Sequence, residues 1–430
     1  MRLITINTGG NTLRNLHKTF VSVLAAGALM FSADSHGQVA GSTSPEVKIG
    51  YLLPLSAENA PQGQQSKRAI EMAIEEINGG GGIKSLGGAK LKIIYADTQS
   101  KPQVAVQEAE RLISQEKVDF LAGAYHSGVT LPASEVAERY KRVWWTPVSS
   151  DDSITNRPGF KYVFRLAEKT SMRIVAQLDF IEAMAKQTNT PIETVALVYE
   201  NTGYGQGAAA TWKQLVPKHG WQIVLDEPYD PKTSDPSPVV TKVKSAQPDV
   251  VLLANSFMPA AVMLAKGFKE QGVKPKAFFA TSAAHTDPDF LKNAGDAALG
   301  VFDVSGWEPD VNRPFSMGVA KKFSDKYGVV LNNEAAKEYA GMYVVKDALE
   351  RAGSLDPQKI RDAFASTDLT TGMTQMYSAK VHFDGTGTFP DTSSLVLVQF
   401  LKVDGTLQRV TVGPKEQARV GQKLKFPYAY

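Results

Sequence analysis

Residues 47–281 run twice through the same order of elements. Short apolar runs alternate with stretches whose apolar residues recur at helical spacing, as Ile70, Ala73, Ile74 and Ile77 do. The first pass places strands at 47–53, 91–96, 118–122 and 143–145. The second places them at 195–199, 221–225, 250–254 and 277–281. Strands separated by helices pair in parallel through right-handed crossovers. Two such units predict an α/β fold of two lobes with a crevice between them. A length of 430 residues fits more than one domain.

Residues 120–152, FLAGAYHSGVTLPASEVAERYKRVWWTPVSSDD, say where chemistry would sit. Gly123 lets the backbone turn after a strand. Ser127 and Thr130 bring hydroxyls to that turn, and Pro132 suits the first position of a helix with Ala133, Val136, Ala137 and Tyr140 on its apolar face. The next strand, 143–145, leaves through Pro147 to Ser150. Two hydroxyl-bearing turns thus end neighbouring parallel strands, where open α/β sheets bind ligands. Helix N-termini there offer N–H groups to an anion. This stretch reads as half of a cleft for a small solute with a carboxylate. Isolated serines would more often be helix caps; their shared position favours ligand contact.

Arg14, His17 and Lys18 precede an apolar run from Phe20 to Phe31, with Ser35 and Gly37 beyond it. That is the pattern of an export signal cleaved after Gly37, and the run is too short to span a bilayer. The chain has no cysteine, which excludes disulfides, thiolate metal sites, a Cys nucleophile and a lipidated Cys. A formal charge of +3 without a basic block gives no reason to expect nucleic acid. The last third differs: helices are expected at 313–327 and 334–352, one more opens at Asp356-Pro357, and strands follow at 380–383, 395–403 and 407–412, the last two joined by Asp404-Gly405.

VKIGYLLPLS at Val47, AIEMAIEEINGGGGI at Ala69, YADTQSKPQVAVQEAERLI at Tyr95, FLAGAYHSGVTLPAS at Phe120, TPVSSDD at Thr146, NTGYGQG at Asn201, PDVVLLANSFMPAAVMLAKGFKEQG at Pro248 and NAGDAALGV at Asn293 together resemble the branched-chain amino-acid (Leu/Ile/Val) binding family of periplasmic ABC-importer receptors. The resemblance covers nearly all of the chain beyond the signal. It implies a type I periplasmic binding protein: two Rossmann-like lobes with parallel central sheets and a three-strand hinge, crossing near Arg165, Val301 and Tyr377. The expected layout is signal peptide 1–37, linker 38–46, lobe I 47–166, lobe II 167–301, lobe I again 302–376 and lobe II again 377–430. The resemblance implies a soluble periplasmic monomer without cofactor, catalysis or nucleic acid. Its partners would be a small amino acid, carboxylate or amide and a membrane ABC permease.

By the same resemblance Ser127 meets the ligand carboxylate, Val148 offers its backbone carbonyl to the ammonium, Ser150 offers a hydroxyl to both charged groups, and Tyr204 closes over the ligand from lobe II. Gln62 sits at the cleft mouth, Phe257 (or Ser256) forms a lobe II wall, and Tyr125 flanks Ser127. One departure stands out. Amino-acid binders place an acid after the strand at 277–281 to receive the ammonium, and here that position is Ser282. Asp151, Asp152 and Asp287 are the candidate substitutes. Gly203-x-Gly205-x-x-Ala208 is a weak dinucleotide pattern, set back from its strand by Glu200, Asn201 and Thr202. No nucleophile or metal motif appears. The alternative reading is an exported ligand-sensing domain or an α/β enzyme.

Overall fold

The computed structural model describes residues 45–281 and 283–428. The expected signal, nearly all of the linker and Ser282 lie outside them. Among the described residues no helix is long and apolar enough to cross a membrane.

The first sheet holds β1 (Glu46–Leu53), β2 (Lys90–Asp97), β3 (Phe120–Gly123), β4 (Trp144–Thr146) and β5 (Val163–Arg165), all parallel, in the order β2-β1-β3-β4-β5. α1 (Ala60–Gly79), α2 (Pro102–Ser114) and α3 (Ser127–Arg139) carry the chain between strands. Both faces of this sheet are covered, so β1 from Ile49 onward, β3 and β4 are buried without alternation, while the edge strand β2 stays partly exposed. Trp144 and Trp145 are both fully buried, Trp145 against Phe364 with ring centroids 5.5 Å apart. The pair is packing, as a strand interior implies.

α4 (Thr170–Thr188) opens the second unit. β6 (Thr194–Glu200), α5 (Gly203–Leu215), β7 (Gln222–Tyr229), α6 (Ser237–Ala246), β8 (Val250–Ala254), α7 (Met258–Glu270), β9 (Ala277–Ala280), α8 (Ala283–Thr286), α9 (Pro288–Ala294) and β10 (Phe302–Ser305) follow. α10 (Ser316–Tyr327), α11 (Asn333–Ala352) and α12 (Pro357–Ala365) then return to the first sheet, where Ala336, Tyr339 and Phe364 join Ile49, Phe120 and Trp145 in one core. Asp356 caps α12 through Lys359 N at 3.0 Å. β11 (Asp368–Leu369) and β12 (Val381–His382) form a short antiparallel pair. β13 (Val396–Val403) and β14 (Thr406–Gly413) complete a second sheet ordered β14-β13-β10-β9-β8-β6-β7. Its β6–β10 part is parallel, and β13 runs antiparallel to β10 and β14. Asp404 and Gly405, both at positive φ, make the expected two-residue hairpin.

Two expected boundaries move. Residues 302–305 were assigned to the first lobe, but β10 pairs with β9 and β13 in the second sheet, and the chain joins the first core only at Trp307. Tyr377, Val381, Phe383 and Phe389 stay in the first core, so the return to lobe II falls beyond Phe389. Both shifts have one cause: a strand belongs where its backbone hydrogen bonds are completed, and apolar pattern alone does not name the partner.

Where the chain passes between sheets, a charged cluster is shut inside. Phe389 N donates to Arg165 O at 3.0 Å, and Arg165 N donates to Gly387 O at 2.9 Å. Nearby, fully buried Glu168 receives Lys337 Nζ at 3.0 Å, Tyr377 Oη at 2.5 Å and Ser394 Oγ at 2.9 Å. Burial alone would raise the Glu168 pKa; Lys337, Arg173 and Tyr377 outweigh it and bring it down to about 2.

Candidate functional site

The turn after β3 is built by close approach. A Cβ on Gly123 would lie 2.1 Å from Leu52 O, and its φ of +115° is one side chains avoid. Thr130 Oγ1 accepts Ala124 N at 3.0 Å and bonds Ser149 Oγ at 2.6 Å; Ser149 in turn donates to Tyr125 O at 2.9 Å. These two hydroxyls hold the loop and leave Ser127 to face the crevice. Helix α3 starts at Ser127, not at Pro132, which lies inside it. The correction has a chemical consequence. Pro132 has no N–H, so Gly128 O lacks its i+4 helical donor. Gly128 is exposed and lines the cavity, so that carbonyl need not be satisfied within the helix.

A cavity of about 220 Å³ lies between the lobes. Tyr125, Ser127, Val148, Ser150, Tyr204 and Phe257 all line it, so six of the eight expected residues converge. Ser127 Oγ accepts Ser150 N at 3.3 Å and Asp151 N at 3.1 Å. Its acceptor capacity is filled and its O–H proton remains to donate, which suits a carboxylate. Ser150 O accepts Thr170 N at 2.8 Å, tying that turn to the first residue of α4.

From the other side come α5 and α7. Thr202 caps α5 by accepting Gly205 N, and a Cβ on Gly205 would lie 1.9 Å from Glu200 O, so helix and strand meet too closely for a side chain. Tyr204 Oη donates to Thr281 O, which fixes the ring at the cavity wall. The starts of α3 and α5, one from each lobe, therefore border the same space, each with a positive dipole end. The Phe257 ring stacks on His126, centroids 5.5 Å apart. Neither nitrogen of His126 has a hydrogen-bond partner among the described residues, and burial pushes its pKa down to about 4, so the ring is neutral near pH 7.

Two expected residues stand apart. Gln62 is buried and donates across the cleft to the Asp287 carboxylate, bridging α1 and the cap of α9 rather than lining the cavity. Ser282 lies outside the described residues. The three candidate acids serve the backbone: Asp151 accepts Ser153 N, Asp152 accepts Ser171 N, and Asp287 accepts Asp289 N.

Three charged residues in the wall were not foreseen. Arg173, on α4, is buried; its Nη2 donates to Val304 O at 2.5 Å and its Nε to Thr281 Oγ1 at 3.4 Å. Burial opposes its charge, and the Coulombic pull of Glu168 outweighs it, so the guanidinium stays protonated. Its sequence signal was faint: the positions three and four away, Thr170, Ala176, Lys169 and Gln177, hold no acid to pair with it. Glu200, at the end of β6, accepts Ser256 N and Oγ and Thr202 Oγ1 and is pushed up in pKa by burial. Glu334, in the first turn of α11, accepts Asn333 Nδ2 at 2.8 Å and the Thr286 hydroxyl from the opposite lobe. The wall therefore holds one cation, two acids, hydroxyl donors and four aromatic rings.

Residues 46–397 match the sequence pattern of the periplasmic binding protein family. The chain belongs to that family. It is 30% identical over 330 residues to an amino acid binding protein of Pseudomonas aeruginosa, covering 76% of this chain and 84% of that one. It is 29% identical over 364 residues to Leu/Ile/Val-binding protein homolog 7 of Brucella suis biovar 1 (strain 1330), covering 83% and 87%. In fold it is similar to an R. palustris ABC transporter solute binding protein in complex with 4-hydroxybenzoate, with a TM-score of 0.74, 22% identity and coverage of 87% and 99%. The two-lobed α/β fold and the cleft between its lobes are thus those of periplasmic binding proteins.

Proposed function

We propose that this chain is the periplasmic substrate-binding component of an ABC importer, taking a small carboxylate solute in the inter-lobe cleft and delivering it to a membrane permease. The observation that carries the reading is the convergence of Ser127, Ser150 and Arg173 with two helix starts on one cavity. Together they supply hydroxyl donors, a buried cation and unpaired backbone N–H groups, the groups a carboxylate needs once it leaves water. An amino acid is the first ligand class. Glu334 lines the same cavity and supplies the acid that Ser282 does not, so an ammonium has a partner. Tyr125, Tyr204 and Phe257 would cover the apolar part. A second class, aromatic carboxylates, is favoured by Arg173 and by the Phe257–His126 stack. Binding without turnover suits the wall, whose acids are engaged by hydrogen bonds.

A thermal-shift screen of the protein without residues 1–37 against amino acids, aliphatic and aromatic carboxylates and amides tests this. A ligand at a hundred times its Kd adds about 2.7 kcal/mol of stability. A hit among amino acids that is lost in Glu334→Gln assigns the ammonium to Glu334. A hit confined to acids without an ammonium selects the second class. Stabilisation by no carboxylate would overturn the proposal.

A further inference from the structure

A second cavity, about 340 Å³, lies wholly within lobe II and shares no lining residue with the cleft. Leu253 and Phe278 of the sheet and Leu264 and Phe268 of α7 line it, the Phe268 and Phe278 rings being stacked with centroids 4.9 Å apart. Its volume falls within the range of roughly 300–1,000 Å³ typical of small-molecule sites. Its lining is apolar except at the rim and at His285, Tyr428 and Asn255. Lys269, Lys274 and Asp296 stand at the exposed rim. Inside is Asn255, only 1% exposed, whose Nδ2 donates to Tyr229 Oη at 2.9 Å while Oδ1 has no partner among the described residues. A buried carbonyl oxygen without a donor is rare in native proteins and asks for one.

We propose that this cavity is a second ligand site, separate from the cleft, for a compact and largely apolar neutral molecule that carries one hydrogen-bond donor, as indole or a phenol does. The ring would lie beside the Phe268–Phe278 stack, toward the edge where α7 and the sheet part. Its N–H or O–H would meet Asn255 Oδ1. A charged group would find no counter-charge at that depth, so neutrality is part of the assignment.

The probe is indole, with indene as the same shape lacking the N–H, titrated by calorimetry. The site predicts one indole bound per chain with a sub-millimolar Kd, and indene at least tenfold weaker. Ala265→Trp, which fills the cavity from its partly exposed edge, should weaken indole at least tenfold. Tyr125→Ala, in the lobe I wall of the cleft, should leave indole affinity within twofold. Asn255→Leu should bring indole and indene to parity. Absence of indole binding up to its solubility overturns the site. So does indole binding that survives Ala265→Trp, or that is lost in Tyr125→Ala. Equal affinity for indole and indene in the wild type overturns the role of Asn255. Because the cleft is tested by carboxylates and this site by neutral rings, one can fail while the other stands.

Discussion

On the lobe I side of the cleft, Ser127, Val148 and Ser150 are short side chains at the ends of adjacent strands of one sheet. On the lobe II side, Arg173, Tyr204 and Phe257 are long ones that reach the cavity from α4, the start of α5 and the turn before α7. The first wall is placed by the backbone. Its hydroxyls follow wherever the sheet register puts the turns. The second wall is placed by packing: Tyr204 is held by Thr281 O, Arg173 by Val304 O and Phe257 by His126. A wall of short groups can fix a common feature such as a carboxylate. A wall of long groups can vary with little change to the fold, and so is the natural place for ligand choice.

Four experiments press on that contrast. The largest effect is expected where the walls share a frame. Lys337→Met leaves fully buried Glu168 without its cation and should lower unfolding free energy by about 3–5 kcal/mol in urea titration. A loss near zero would mean that this pair does not bind the lobes into one unit. Next, Arg173→Met should raise the Kd for a carboxylate found in the screen on the order of a hundredfold, since it removes a charged donor from a buried site. Ser150→Ala should cost about tenfold in the same titration. If the serine change proved the larger of the two, the backbone-built wall would carry the affinity and the contrast would reverse. The smallest effect is none. His126 is held neutral down to about pH 4, whereas a free histidine gains its proton near 6.5. Carboxylate affinity should therefore stay level as pH falls from about 8 to about 5. A rise centred near 6.5 would show that His126 ionises in the cleft.

The same contrast explains what could be read in the residues. Strand and helix alternation, the Asp404-Gly405 hairpin and the Asp356 cap all depend on neighbours in sequence, and each took the expected form. Ser127 and Ser150 belong to that class because strand-end turns are local. Arg173 and Glu334 do not. Each lies in the first turns of a helix, where a polar residue ordinarily faces water; Arg173 is buried against Thr281 and Val304 of its own lobe, and Glu334 meets Thr286 of the opposite one. Gln62 matched the cleft mouth, yet its amide bonds Asp287 across the lobes, a partner 225 positions away that no local pattern names. The start of α3 slipped for a different reason. Proline favours a first turn, but a helix accepts it later when the carbonyl it deprives is already exposed, as Gly128 is.

The way the chain threads its two sheets sets an order in time. The core beneath β1, β3 and β4 also needs Trp307, Tyr339, Phe364 and Phe389. A chain delivered from its N-terminus cannot seal that first-begun lobe until nearly all of it has emerged. The second lobe waits as well, since Ile174 and Leu178 of α4 share a core with Leu397, Val410 and Phe426. Neither half can close until the end of the chain arrives, and the half that starts first therefore keeps its apolar strands open to other contacts the longest.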